Sequence, residues 1–416
     1  MYRTKVKAII CQSSPSARVK AHISTYTSLF ASRHLLPQLR TLIIPEFDDN
    51  SVEVTLLHLF LSSDIRHILI TSISDSHLFN SFCWHLWGQP SSGRHLQSLT
   101  LNHYIEQDML CRLARASRSL RYLKIATSLN EPTLSQILTS LPLLQELDIC
   151  IGNDFVIGSS LRSQSISPLS VQGTFTALYR FMQTFSSPSL RSLRLTLLQD
   201  HTGNNSEDES PSTLFSVMAT KWTPKLEDFE IDFTHRRHDA PADVLKWSDL
   251  RPFLPLLESR SLHSLHIINP PFWYKENLPV TTLARLLPQV RSLHLPPHRQ
   301  GSGANFNDLY EIAKLCPSLK YLAISVCTVV NSDWKVAPLN HELETLHVYD
   351  LDFSAIPPGI TYTETASWLD RIFPYLTTIE TSPIINFNLI LTNRDVCWKE
   401  VQSLLSLCHQ ARNRAW

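Results

Sequence analysis

LRYLKI at residues 120–125 and LQELDI at residues 144–149 follow one pattern: apolar, two variable residues, apolar, one variable residue, apolar. Working outward from these two, twelve copies start at Leu39, Ile65, Leu96, Leu120, Leu144, Leu190, Leu226, Leu262, Val290, Leu319, Leu343 and Leu376. They recur every 24 to 36 residues, with one interval of 46. A short phrase repeated at that period marks a solenoid, whose units are each too small to bury an apolar face alone and must stack to share one core. The alternation inside the phrase has the period of a strand, with positions four and six on one face and positions three and five on the other.

Between phrases the period changes from two to that of a helix. Residues 131–141 carry Leu134, Ile137, Leu138 and Leu141, and residues 306–315 carry Leu309, Ile312, Ala313 and Leu315, the stripe of a helix resting on a core. Residues 51–61 and 108–116 read the same way. Prolines close the apolar stretches at Pro37, Pro142, Pro188, Pro288, Pro317 and Pro374, each just ahead of a phrase. A proline there ends a helix, because its ring clashes with the preceding turn and it has no N–H. Each repeat is therefore strand, turn, helix and proline stop. Strands joined through helices pair in parallel. The expected fold is α/β, a horseshoe solenoid with a curved parallel sheet on its concave face and helices on the convex face.

Along the chain this gives an N-terminal segment over 1–38, about twelve repeats over 39–394, and a closing amphipathic helix over 395–416. Loops are expected near 152–172 and 200–211; the first is open to a second reading, as a degenerate repeat. HTGNNSEDESP at 201–211 is polar and acidic, and THRRHD at 234–239 is a charged turn. The 416 residues carry 37 basic and 37 acidic side chains, so the basic excess of a general nucleic-acid binder is missing. Eight cysteines show no paired-ligand spacing and read as reduced core thiols of a cytoplasmic or nuclear protein. The N-terminal apolar run is too short for a signal peptide, and no stretch reaches the length that spans a bilayer.

Position five of the phrase defines the middle column of the open sheet face. It begins apolar with Ile43 and Leu69, which are expected to be exposed. It continues through Thr100 into alternating charge at Lys124, Asp148, Arg194 and Glu230, flanked by Glu146, Asp228 and Asp232. It ends with His266, His294, Ala323, His347 and Glu380. The charges either neutralise one another across strands or form a polar face for a protein partner. The histidines lack a carboxylate or thiolate at ligand spacing, so no metal and no cofactor is expected. Neither a GxSxG elbow nor a phosphate loop occurs, and His341-Glu342 lacks the second histidine of a zinc protease helix. Catalysis is not expected; an enzyme site within 150–190 is the remote alternative.

PQLRTL at 37, PSLRSL at 188 and PSLKYL at 317, with LFASRHLLPQLRTLIIP at 29–45, resemble the leucine-rich-repeat region of fungal F-box proteins. The phrase lacks the asparagine or cysteine that follows the strand in standard leucine-rich repeats. The resemblance implies a substrate receptor, whose repeats hold a target protein while an F-box docks on the adaptor of a ubiquitin ligase. Residues 1–38 carry no F-box pattern, so an adaptor is expected only where an F-box lies outside this chain. The other reading is a standalone repeat scaffold. The expected partner is a protein on the concave face, met by a monomer without nucleic acid or membrane.

Overall fold

The computed structural model describes residues 8–10, 38–44, 64–72, 95–158, 160–198, 211–222, 225–235, 253–257, 261–268, 280–295, 304–326, 337–350, 362–383 and 394–414. They fall into two compact units, residues 1–190 and 191–416. The helix expected over 51–61, the acidic stretch 201–210 and the charged turn over 236–239 lie outside the described residues.

Unit one contains β1 (Ala8–Ile10), β2 (Thr41–Ile44), β3 (His67–Ile70), β4 (Ser98–Leu101), α1 (Gln107–Ala116), β5 (Tyr122–Leu129), α2 (Glu131–Ser140) and β6 (Glu146–Ile151). It continues with β7 (Leu161–Arg162), β8 (Pro168–Gly173), α3 (Phe175–Thr184) and β9 (Phe185–Ser186). Strands β1 to β6 and then β8 form one parallel ladder, while β7 and β9 make a separate parallel pair. Unit two runs β10 (Ser192–Leu198), α4 (Pro211–Trp222), β11 (Asp228–His235), α5 (Leu254–Leu257), β12 (Ser264–Ile268), α6 (Val280–Leu286) and β13 (Ser292–His294). It goes on through α7 (Phe306–Leu315), β14 (Tyr321–Val326), β15 (Thr345–Asp350), α8 (Tyr362–Ile372), β16 (Thr378–Pro383) and α9 (Arg394–Arg414). Strands β10 to β16 are all parallel and follow chain order.

Each of the twelve phrases supplies one ladder strand. In the first eleven, positions one, four and six are buried, as at Leu120, Leu123 and Ile125 (0%, 1% and 2% exposed), and in the last Leu376 is buried while Ile379 and Thr381 are half-buried at the sheet edge. Register is fixed by a repeated pair of bonds: the carbonyl of position two accepts from the N–H groups of positions two and three in the next repeat. Arg291 O accepts from Lys320 N at 2.8 Å and Tyr321 N at 3.0 Å, and Lys320 O from Glu344 N at 2.9 Å and Thr345 N at 3.0 Å. A one-residue slip would turn every leucine outward, so burial and bonding select the same register.

The prolines do more than stop helices. In Leu141-Pro142-Leu143-Leu144 the Leu144 N–H returns to Leu141 O at 3.2 Å, and the turns starting at Ser187, Leu287, Cys316 and Phe373 close likewise at 3.0 to 3.3 Å. Proline at the second place of a β-turn presets the required φ, so one residue ends the helix and delivers the chain to the next strand. Serines just before position one add cross-repeat bonds. Ser119 donates to Leu96 O at 2.9 Å, Ser165 to Leu144 O at 2.6 Å and Ser261 to Leu226 O at 2.8 Å.

Two further strands join the ladder. Of the two readings of 152–172, loop or degenerate repeat, the structure has the repeat: β8 pairs with β6 from Leu147↔Leu169 to Cys150↔Gln172. Its phrase is ISPLSV at 166–171, with Ile166, Leu169 and Val171 buried, and α3 packs behind it through Phe181, stacked on Phe185 at 5.0 Å. Ser165 begins the Ser-Ile-Ser-Pro run, and Pro168 inside the phrase disguises the strand; proline is tolerated because it is the strand's first residue. The N-terminal segment 1–38 likewise contains β1, whose Ala8, Ile9 and Ile10 pair with Thr41, Leu42 and Ile43.

Helix starts follow local chemistry. Asn130 accepts from Thr133 N at 3.0 Å to cap α2, and Asn305 and Asp308 form a reciprocal capping box at α7. Helix α9 lies along α8 and β16. Its Gln402 Oε1 accepts from Ile379 N at 2.6 Å, and its Nε2 donates to Thr377 O at 2.9 Å. The side-chain amide thus stands in for the peptide of a further strand at the β16 edge. Arg412 clamps the same helix to α8 through the Asp370 carboxylate and, at 3.0 Å, Pro374 O. Among the described residues no helix is long and apolar enough to cross a membrane.

Candidate functional site

The position-five column forms a real side-by-side row in each unit. In unit one the register places Ile10, Ile43, Leu69, Thr100, Lys124, Asp148 and Ser170 against one another in turn. In unit two the row is Arg194, Glu230, His266, His294, Ala323, His347 and Glu380. Ile43 and Leu69, expected to be exposed, are half-buried. Parallel neighbours stand about 4.8 Å apart, so each of these side chains shields the next.

The alternating charges pair across strands. Lys124 Nζ meets Asp148 Oδ2 at 2.7 Å, and Arg194 Nε meets Glu230 Oε1 at 3.0 Å. With 39% and 28% of the first pair's side chains exposed, water screens the attraction strongly. Within each unit one such pair is neutralised across neighbouring strands.

The histidines behave differently. His294 and His347 sit on β13 and β15, with Ala323 of β14 between them, yet their rings stack with centroids 6.5 Å apart and 23° between planes. The small methyl of Ala323, itself 0% exposed, lets the two rings lean together above it. Tyr349, two positions beyond His347 on the same face, packs against both rings (4.7 Å to His347, 5.7 Å to His294), and its hydroxyl is hydrogen-bonded to His294 Nε2. His266 stands 5.7 Å from His294 and 6.3 Å from Tyr321. Five rings thus form a continuous aromatic shelf on the open face. Tyr321 and Tyr349 were not singled out in the sequence, although position three and the place after position six point to that face and could have flagged them.

Burial sets the protonation of the shelf. His294 is pushed down to about 4, first by desolvation and then by the neighbouring His266 and His347. His266 is also lowered by desolvation, against the opposing pull of Glu230 and Asp228. Tyr349 is pushed up to about 12 by desolvation and by Tyr321, and desolvation, followed by Glu380, raises Tyr321. At neutral pH the rings of His266, His294, Tyr321 and Tyr349 are therefore uncharged. His347 Nδ1 lies 3.1 Å from Glu380 Oε2. A carboxylate accepts, so Nδ1 carries the proton of this bond, while Nε2 is buried with no hydrogen-bond partner among the described residues.

Two arrangements touch on catalysis. His266 Nε2 is 2.7 Å from Ser292 Oγ, the spacing of a base and a hydroxyl nucleophile. Among the described residues no carboxylate hydrogen-bonds to His266, and its burial disfavours the imidazolium that such chemistry would form. His341, beside the incomplete zinc-protease motif, is a structural residue. It accepts from Leu343 N at 3.1 Å through Nδ1 and donates through Nε2 to Cys316 O at 2.8 Å, while 4% exposed. Among the described residues no group of three or more His, Cys, Asp or Glu side chains could hold a metal ion.

A parallel ladder built on this repeated leucine phrase, with helices behind buried positions four and six, is a leucine-rich-repeat solenoid. No family model matches the chain, and no curated protein matches it. Similar solved structures include the leucine-rich-repeat-containing protein LegL7 from Legionella pneumophila, at 12% identity over 95% of this chain and 97% of that one, with a TM-score of 0.32. A leucine-rich-repeat protein of Leptospira interrogans has 12% identity over 84% of this chain and 74% of that one, with a TM-score of 0.33. TLR13, solved in complex with ssRNA13, has 15% identity over 89% of this chain and 57% of that one, with a TM-score of 0.37. The fold assignment rests on the ladder itself.

Proposed function

We propose that this chain is a non-catalytic protein-binding repeat domain. The observation that supports it best is the shelf of His266, His294, His347, Tyr321 and Tyr349, half-buried rings on the sheet face opposite the helices. Rigid aromatic side chains of this kind are the usual anchors of protein interfaces, because they bury large areas at little cost in conformational entropy. In unit two Arg194 and Glu230 extend the same face as self-neutralised polar surface; in unit one Ile43, Leu69, Lys124 and Asp148 make up a row of their own, apolar and then self-neutralised. The resemblance of the Pro-x-Leu phrases to F-box repeat regions supports a narrower version, in which the bound protein is a ubiquitin-ligase substrate.

The test is cross-linking of the full chain in cell extract, compared with the Tyr321→Ala/Tyr349→Ala variant, after circular dichroism has established that the variant is folded. Loss of specific protein adducts in the variant supports the reading; an unchanged set overturns it. Recovery of a ligase adaptor with the full chain supports the narrower version, and protein substrates recovered with no adaptor confine the chain to scaffolding.

A further inference from the structure

We infer that the shelf of unit two takes an arginine-bearing, extended basic segment of the partner protein; this rests on the protein-binding reading above and names the partner's chemistry. At positions three, five and seven of β10 to β16 the described charges are four carboxylates, Asp228, Glu230, Asp232 and Glu380, against one cation, Arg194, which is already held by Glu230. The carboxylates stand at the two sides of the shelf, three on β11 and one on β16, and the five rings lie between. Five strand spacings separate Glu230 from Glu380, about 24 Å, which an extended peptide of roughly seven residues spans.

An aromatic floor with acidic sides selects cations, since a ring face carries negative potential and a carboxylate accepts hydrogen bonds. Guanidinium suits it better than ammonium, because it is planar, stacks on rings and brings five donors to a surface rich in acceptors. The same carboxylates oppose a phosphate backbone, which sets a basic peptide above single-stranded RNA as the occupant.

The test uses the full chain and a fluorescent nine-residue peptide carrying three arginines, read by anisotropy at low salt. Its controls replace arginine by lysine, citrulline or glutamate, and a further arm uses a single-stranded RNA oligonucleotide. Saturable binding of the arginine peptide is expected, several-fold weaker for lysine and lost for citrulline and glutamate. Glu380→Gln and Tyr349→Leu should each weaken binding by roughly five- to tenfold without unfolding the chain. Tighter binding of RNA or of the glutamate peptide overturns the inference, as does equal affinity in the two variants. If cross-linking finds partners at the shelf that engage it through acidic segments, the protein-binding reading stands and the inference alone fails.

Discussion

Acid should weaken unit two through His294, and the size of the effect follows from its surroundings. Its ring is hemmed by His266 on β12, Ala323 on β14, and His347 and Tyr349 on β15, and burial holds it at about 4, against an ordinary value of 6.5. In the unfolded chain the same histidine takes up a proton near 6.5. Between these values the unfolded state binds more protons than the folded one, so stability is intact above about pH 6.5 and falls as pH drops toward 4. The gap of about 2.5 units corresponds to roughly 3 kcal/mol in full, of which about 2 kcal/mol is lost by pH 5. The partly solvated ring makes these upper figures. Urea unfolding at pH 7.5 and pH 5.0, followed by fluorescence of buried Trp222, Trp368 and Trp398, measures the loss. His294→Gln keeps a polar partner for the Tyr349 hydroxyl and cannot titrate, so it should lose less stability over the same interval, by up to about 2 kcal/mol. Equal losses in the two proteins would refute the assignment of the acid sensitivity to His294. His266 and His341 are lowered by burial as well and contribute in the same direction, so both proteins should retain some acid sensitivity.

Other expectations follow from the ladder and its edge. Leu193→Ala, at a site 1% exposed, should cost about 2 to 5 kcal/mol in urea unfolding; a change within error would mean the phrase does not fill the core. Gln402→Ala leaves Ile379 N and Thr377 O without their partner, which should cost about 1 to 3 kcal/mol and raise light scattering as the β16 edge opens; unchanged stability and solubility would refute edge capping. A double-mutant cycle on Lys124 and Asp148 should give about 0.2 to 1 kcal/mol of coupling, falling with salt; a coupling of several kcal/mol would contradict a screened surface pair.

The repeat was plain in the sequence because the physics of its core is local. Leucine at positions one, four and six can be counted, and proline before the phrase marks each turn. Helices at 131–140 and 306–315 emerged for the same reason, since their apolar stripes repeat at helical spacing. The repeat at 166–171 was obscured by Pro168 and by the serine-rich run around it, although Ile166, Leu169 and Val171 kept the pattern. The column was legible as a list because strand alternation assigns a face from residue number alone. What it does was less so. Side-chain lean over Ala323 brings together two histidines that strand counting separates, and no spacing rule predicts that movement. Tyr321 and Tyr349 were hidden because they stand off the counted position. Gln402 was unreadable as an edge cap, because one polar residue on an exposed helix face has no signature until the strand beside it is placed.

Hydroxyl-radical footprinting of the chain alone and bound to its cross-linked partner tests the central claim, that the open-face shelf is the binding surface, most directly. Tyr321 and Tyr349 should gain protection on binding, while Tyr104 and Tyr375, 67% and 52% exposed and not among the five rings, should react as before. Protection confined to Tyr104, Tyr375 or Leu407 on α9, with the shelf tyrosines unchanged, would contradict it.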